Sequence, residues 1–508
     1  QDQTRVVHVK NSIAMHHLAR QLSPGTVRHL LPRTQKHVVV IGGGPTGLFC
    51  ADRLRHHFQV TVVDLKEYFE FTPGILRAVA DPAHLSRITF DYQEVLENNL
   101  GVEFLQGRAL SVRASPSTDE GAPGSVAIEH PSKDKEKRRR LPFDYCVVAV
   151  GVSNGLWKPR PPSSDGQLAA PSATPPASGI ASSLGLGSSL SGAAESPLSS
   201  SKSGGSSASA TGSSGSGSSS STKHKPSPPV DERSLEERRH TFRAMRERLA
   251  VARKVIVVGA GLVGVELAGE LCHFYPRLKV RLIDGAHTVL PQLAESARAY
   301  AQSWLEQRGV KIALGTPFKP EMVSEGDVVF WCVGTKARTA GLFEDQEVLQ
   351  PNGQIHVNRR MQVMPIKGGS GGQTGMTSSQ SSDGGSDGRP PIAQGRIFAV
   401  GDAAAIEGVP MAQMIFHGEE MAAVAVANIE AMEDIASPLQ IGKAPREIEA
   451  MPLVSCTSLG PRDGIFSTQS ELVATGGLAA LQKQMIEDTK LGALKGELLP
   501  SLLWMPIH

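Results

Sequence analysis

One pattern occurs twice in this chain and restricts its fold more than any other. It runs apolar strand, glycine loop, helix, second apolar strand, terminal acid. The first copy is His37–Ile41, then Gly42-Gly43-Gly44-Pro45-Thr46-Gly47, a helical stretch through Leu54, and the run 60–63 ending at Asp64. The second is Lys254–Val258, then Gly259-Ala260-Gly261-Leu262-Val263-Gly264, a helical stretch through Leu271, and the run 280–283 ending at Asp284. Asp64 follows Gly42 by about 22 residues and Asp284 follows Gly259 by about 25, near the spacing of about 20 that a βαβ unit with a ribose-binding acid requires. A lone GxGxxG is only a glycine-rich turn; two copies, each with strand, helix and acid in order, specify two dinucleotide-binding units.

Each glycine has its own task. Gly42 and Gly259 make the tight turn, Gly44 and Gly261 let the backbone approach a pyrophosphate, and Gly47 and Gly264 let helix pack on strand. The helix that starts there points free N–H groups and its positive dipole end at the phosphates. Asp284 would repel the extra phosphate of NADPH, which favours NADH in the second unit, while Arg281 and His287 nearby leave NADPH open.

The 508 residues accommodate two or three domains. Residues 161–230 and 367–394, dominated by Ser and Gly, cannot supply a core and read as disordered insertions. What remains alternates strand and helix. The expected fold is α/β: two Rossmann-like dinucleotide-binding domains, a two-dinucleotide flavoprotein fold, with a small C-terminal segment. The expected parts are a basic arm over 1–35, a first FAD domain segment over 36–160, the insertion 161–230, an NAD(P)H domain over 231–337, a second FAD segment over 338–440 and a C-terminal segment over 441–508.

Charge and composition exclude other classes. The 52 Lys plus Arg nearly cancel 50 Asp plus Glu, so nothing calls for nucleic acid as partner. The cysteines, Cys50, Cys146, Cys272, Cys332 and Cys456, are odd in number and scattered, which fits reduced thiols rather than a secreted disulfide framework. No metal-ligand cluster is evident, and no run approaches the roughly 18 apolar residues of a membrane span. Residues 1–36 carry six Lys or Arg and one acid, Asp2, a bias that resembles a mitochondrial presequence and equally suits a basic surface arm.

Further along, GRIFAVGDAA over 395–404 resembles the second FAD motif of the pyridine-nucleotide-dependent flavoprotein reductases. That resemblance implies that Asp402 contacts the flavin's ribityl chain. Residues 144–151 and 327–334 resemble the strand-then-glycine segments that close each nucleotide domain, the second ending at Gly334. Disulfide reductases of this superfamily carry a reactive cysteine pair beside the FAD loop; here only Cys50 is present, which argues against a thiol relay.

The branch it resembles is that of the type II NADH dehydrogenases and the apoptosis-inducing-factor-2 (ferroptosis suppressor) proteins. The resemblance rests on Glu70-Phe71-Thr72-Pro73-Gly74 with Leu76-Arg77-Ala78, on GLVGVELAGEL, on Met411-Ala412-Gln413 leading into 425–429, and on Leu459-Gly460-Pro461-Arg462-Asp463-Gly464. It implies that Pro73 lies near the flavin, that Arg77 belongs to the cofactor-binding set, and that Glu266 faces nicotinamide or flavin. Alternatively, Glu266 is a carboxylate stabilised by the helix dipole. Gln413 matches the first of the branch's two quinone-site glutamines, but His417 stands where the second is expected, and Gln413 could equally serve a local hydrogen bond.

The expected activity is hydride transfer from NAD(P)H to FAD and onward to a quinone or another small acceptor. Two alternatives are an NADH-dependent reductase of a redox protein and a slow flavoprotein that acts through binding. Residues 472–508, apolar with interspersed Lys483, Lys490 and Lys495, read as a peripheral contact with a mitochondrial or other intracellular membrane, or as a packing or homodimer surface.

Overall fold

Runs of β-branched residues without polar alternation form strands buried on both faces, and they build two parallel sheets here. The chain, described by a computed structural model over residues 34–115, 123–130, 137–154, 232–343, 346–366, 390–435, 445–497 and 500, lays down β1 (His37–Ile41), β2 (Gln59–Asp64), β3 (Glu103–Gln106) and β4 (Tyr145–Val148). It then builds a second sheet from β5 (Lys254–Val258), β6 (Lys279–Ile283), β7 (Lys311–Ala313) and β8 (Asp327–Trp331). β9 (Ile397–Ala399) returns to the first sheet. The orders are β9-β4-β1-β2-β3 and β7-β6-β5-β8, with every neighbour parallel. Both follow the 3-2-1-4 order of a nucleotide-binding half. Val40 lies between Val62 and Val147 across the first sheet, all three with no exposed surface.

Helices cover the sheets where the sequence supplies small faces. α1 (Pro45–Leu54) packs along α6 (Ile415–Met432), whose Ala422, Ala423, Ala425 and Ala427 are buried and allow a close approach. An antiparallel pair, Val152–Asn154 with Thr335–Ala337, links the two halves.

Between α1 and α6 lie α2 (Ile75–Ala80), α3 (Leu235–Val251), α4 (Leu262–Phe274) and α5 (Glu295–Gln307). α3 opens the segment assigned from sequence to the second nucleotide domain, yet it packs on α2. Arg238 holds it there with two bonds to Glu70, at 2.6 and 2.9 Å, and the Leu235 N–H donates to Glu67 at 3.1 Å.

The C-terminal segment is an antiparallel sheet, β10 (Val454–Ser458), β11 (Gly464–Thr468) and β12 (Leu472–Thr475), followed by α7 (Gly476–Leu494). Asp463 fastens it to α5, accepting from the Tyr300 hydroxyl at 3.0 Å, from the Trp304 indole N–H at 2.8 Å and from the Gly464 N–H at 2.8 Å. Asp463→Ala leaves these donors unpaired, at about 1–3 kcal/mol for each that stays buried. The expected result is a Tm lower by several degrees and faster proteolysis within 454–494, measured by differential scanning fluorimetry and limited trypsin digestion.

The sequence-derived arm up to residue 33, the insertion 161–230, residues 367–389 of the second insertion and the run 498–504 apart from Pro500 lie outside the described residues. Residues 390–394, at the end of the second predicted insertion, instead lead into and form most of the turn Ile392–Gly395 before β9.

Candidate active site

The two glycine loops sit at the C-terminal ends of β1 and β5, and their geometry separates glycines that the protein needs from glycines that it does not. Gly42 has φ +103° and Gly259 φ +110°, a region side chains avoid. A Cβ on Gly47 would lie 1.9 Å from the Gly42 carbonyl oxygen, and one on Gly264 would lie 1.8 Å from that of Gly259. Gly44 and Gly261 differ. Their backbones are extended (φ −65°, ψ 178°; φ −76°, ψ −169°), and beyond its own chain neighbours a Cβ on either would meet none of the described residues within 4 Å. The folded chain has no use for glycine at these two positions. The cleared space fits a group that approaches the backbone closely, as a pyrophosphate does.

The helices that start there agree. Neither α1 nor α4 has a side-chain cap or an acid in its first turn, whereas α3 carries a full capping box from Ser234 and Glu237 and two first-turn acids. Helix N–H groups need partners; α3 supplies its own, and the two loop helices leave theirs for an anion. Asp64 accepts from the Gly43 and Lys66 N–H groups at 2.7 and 2.9 Å, and Asp284 accepts from Ala260 at 2.5 Å and Ala286 at 2.8 Å. Each carboxylate is thus fixed beside its loop with lone pairs left for ribose hydroxyls. Tyr92, which no sequence pattern flags, closes the first loop from below, its hydroxyl donating to the Gly43 carbonyl at 2.7 Å.

Asp402 follows β9 and Gly401, which has φ +71° and at which a Cβ would lie 3.2 Å from Thr46 Oγ1 of the first loop. The motif from 395 to 404 is thereby brought onto the first glycine loop. Burial pushes the Asp402 carboxyl up to about 6. A carboxyl raised above its unfolded value of about 3.9 binds its proton more tightly in the native state. Its contribution favours folding at low pH and is lost as pH rises from about 4 to about 6. The expected result is an apoprotein stabilised by up to about 3 kcal/mol in Asp402→Asn relative to wild type at pH 7, the difference vanishing near pH 4. Denaturant titrations of both proteins at the two pH values check it.

Where the halves meet the C-terminal segment, a cleft is lined by Pro73, Gly74, Leu76, Arg77, His84, Glu270, Ser458, Lys483, Gln484 and Glu487. Arg77 bonds Glu270 at 3.2 Å. Glu266 lies one turn earlier on α4 and is buried; it accepts from the Ser458 N–H at 2.8 Å and pairs with Lys483. The structure therefore groups Pro73 and Arg77 with the Glu266 helix, but it turns Glu266 toward β10 and α7. Ser458 and Lys483, which hold it, carry no local sequence signal, because their contact spans about 200 residues.

Gln413 is exposed and accepts from the Thr335 hydroxyl at 2.8 Å, which places it beside exposed Gly334 (φ +71°) and outside that cleft. His417 is buried, and desolvation lowers its pKa. All five cysteines are free. Burial pushes Cys50 up to about 12 and Cys272 and Cys456 up to about 11, and raises Cys146 and Cys332 as well. Such thiols are poor nucleophiles.

Comparisons with known proteins agree with this geometry. The chain is similar to apoptosis-inducing factor homolog B of Dictyostelium discoideum, 20% identical over 492 residues, covering 90% of this chain and 95% of that protein. A shorter match to the type II NADH:quinone oxidoreductase of Staphylococcus aureus is 31% identical over 96 residues, 17% of this chain and 24% of that protein. The fold matches that of NDH2 from Plasmodium falciparum in complex with NADH, with a TM-score of 0.55 at 11% identity, covering 92% of this chain and 97% of that one. The model of the pyridine nucleotide-disulphide oxidoreductases matches residues 11–171 and 210–368, which take in both glycine loops and both acids. With two nucleotide cradles that fit FAD and NAD(P)H, the chain belongs to the pyridine nucleotide-disulphide oxidoreductase family and is a flavoprotein oxidoreductase of two Rossmann-like domains.

Proposed function

We propose that the protein oxidises NADH and passes the electrons through FAD to a quinone-type acceptor. The observation that carries this reading is the cleft between the two nucleotide halves and the C-terminal segment: it is walled by residues of all three, charged side chains among them, and no cysteine of the described residues lines it. In this reading Gly42, Gly44, Gly47, Asp64 and Asp402 hold FAD, with Arg77 at its edge. Gly259, Gly261, Gly264, Asp284 and Gly334 hold the nicotinamide nucleotide, and the Asp284 carboxylate favours NADH by repelling a 2′-phosphate. FAD supplies the hydride acceptor and the electron store. The protein supplies placement: Pro73 and the α4 helix wall the space where nicotinamide and flavin would stack.

A peripheral membrane contact goes with this reading, because quinones with long tails reside in lipid. Leu478, Leu481 and Met485 project from one side of α7, each more than half exposed, beside exposed Val473; among the described residues no helix is long and apolar enough to cross a membrane. Sedimentation with liposomes tests this contact, and dimerisation through the same face is the outcome that would replace it.

The test of the reaction is anaerobic stopped-flow mixing of the FAD-loaded protein with NADH or NADPH, then with a short-chain ubiquinone. Fast flavin bleaching by NADH and fast reoxidation by the quinone are expected. Reduced flavin that ignores quinone but reacts with a soluble electron carrier would favour a reductase of a redox protein, and slow reduction would favour a binding role.

A further inference from the structure

Reduction of a quinone by NADH consumes a proton as well as a hydride: NADH, quinone and H⁺ give NAD⁺ and hydroquinone. The hydride carries both electrons and one proton, so the second proton comes from water in every turnover. A buried carboxyl beside the cleft is one group that can take up that proton and pass it inward.

Glu270 is suited to hold it. It is 1% exposed, one carboxylate oxygen lies 3.2 Å from Arg77, and the other, Oε2, has no hydrogen-bond partner among the described residues. A permanently ionised carboxylate is a costly occupant of such a place, whereas one that takes up a proton in part of each cycle is not. Desolvation raises the Glu270 pKa, more than Arg77 and Lys483 lower it, and the Glu266 charge adds to the rise. These are the charged groups that face it from α2, α7 and its own helix.

An outward route lies in the same cleft. Glu487 of α7 stands 3.3 Å from His84 Nε2, both buried. Desolvation pushes Glu487 up, but the His84 bond and charge, with Arg77 and Arg87, outweigh it and hold this carboxyl below the usual range. Arg77 thus acts on Glu487 and Glu270 alike. Beyond the pair, Arg87 and Asp488 meet at 2.9 Å, each about half exposed, in solvent. His84, Glu487 and Glu270 line this one cleft together with Pro73.

We propose that Glu270, reached from the surface through the His84–Glu487 pair, is the internal carboxyl that relays the solvent proton of each NADH:quinone turnover. It acts as a positioning and proton-holding residue. The inference rests on the quinone reading above. A purely structural Arg77–Glu270 pair would fix α2 to α4 and affect every acceptor equally.

The experiment uses FAD-loaded wild type and E270Q, with a short-chain ubiquinone and with ferricyanide, which takes electrons without protons. E270Q is expected to lose about tenfold or more of its quinone turnover, increasingly so at high pH, and to change ferricyanide turnover less than about twofold. Infrared titration is expected to show a buried protonated-carboxyl band in wild type that is missing in E270Q. E487Q gives the same acceptor split should E270Q fail to fold. If wild type reduces quinone and E270Q either matches it or loses both acceptors alike, with the carboxyl band unchanged, the relay is overturned and the quinone reading stands. If wild type reduces ferricyanide but not quinone, the quinone reading fails and takes the relay with it.

Discussion

Changing Gly261 to valine is expected to leave the protein folded and loaded with FAD while raising the KM for NADH by about a hundredfold or more, the penalty that a small misplacement of a bound reactant carries. The backbone at Gly261 is extended, an ordinary conformation for valine, and beyond its chain neighbours the space where its Cβ would sit touches none of the described residues within 4 Å. The side chain therefore disturbs nothing until a pyrophosphate approaches the loop. Gly44 is its counterpart in the first loop, so Gly44→Val is expected to yield a folded apoprotein without flavin absorbance. The neighbouring third glycines behave in the opposite way. Valine at Gly47 or Gly264 would place Cβ within 2 Å of a backbone oxygen, and those variants are expected to misfold whether or not nucleotide is present. Flavin absorbance, Tm and the KM for NADH, taken together on the four variants, check the pattern. A Gly261→Val protein with an unchanged KM would show that NADH does not lie on this loop.

That contrast also shows which parts of the molecule its sequence makes legible. Each nucleotide unit is local: strand, loop, helix, strand and acid fall within about 30 residues, so the turn at Gly42, the Asp64 position and their repeats at Gly259 and Asp284 follow from spacing alone. The parallel order of the sheets follows from the same units. The cleft is not local. Arg77 meets Glu270 and His84 meets Glu487 across 193 and 403 residues, and no periodicity encodes such a pairing. α3 illustrates the same limit. Its helical pattern and its cap at Ser234 are written in the sequence, but its anchor, the Arg238 pair with Glu70, joins it to a different part of the chain from the strand it precedes. For Glu266 the resemblance supplied a helix and a neighbourhood. The partner that fixes its direction belongs to a C-terminal helix whose composition reads equally as a membrane or a packing element.

Glu266→Ala is expected to have the second large effect, and its cause can be separated into two parts. The Glu266 and Lys483 side chains are 11% and 18% exposed, so removing the carboxylate leaves a mostly buried ammonium unpaired and the Ser458 N–H without its acceptor. Breaking such a pair costs about 3–5 kcal/mol when it is fully buried and less here, where water reaches the lysine. The cost falls on the contact between α4 and the C-terminal segment, so α7 should become sensitive to protease well below the global Tm, and turnover should fall with it. Glu266→Leu combined with Lys483→Met removes both charges, and apolar pairs of similar volume commonly restore the stability that a single deletion loses. In that double variant, recovery of protease resistance together with turnover would make Glu266 a clasp for α7 and nothing more. Recovery of protease resistance without turnover would leave the carboxylate a direct part in the chemistry, as its place on the α4 helix beside the wall of the cleft suggests.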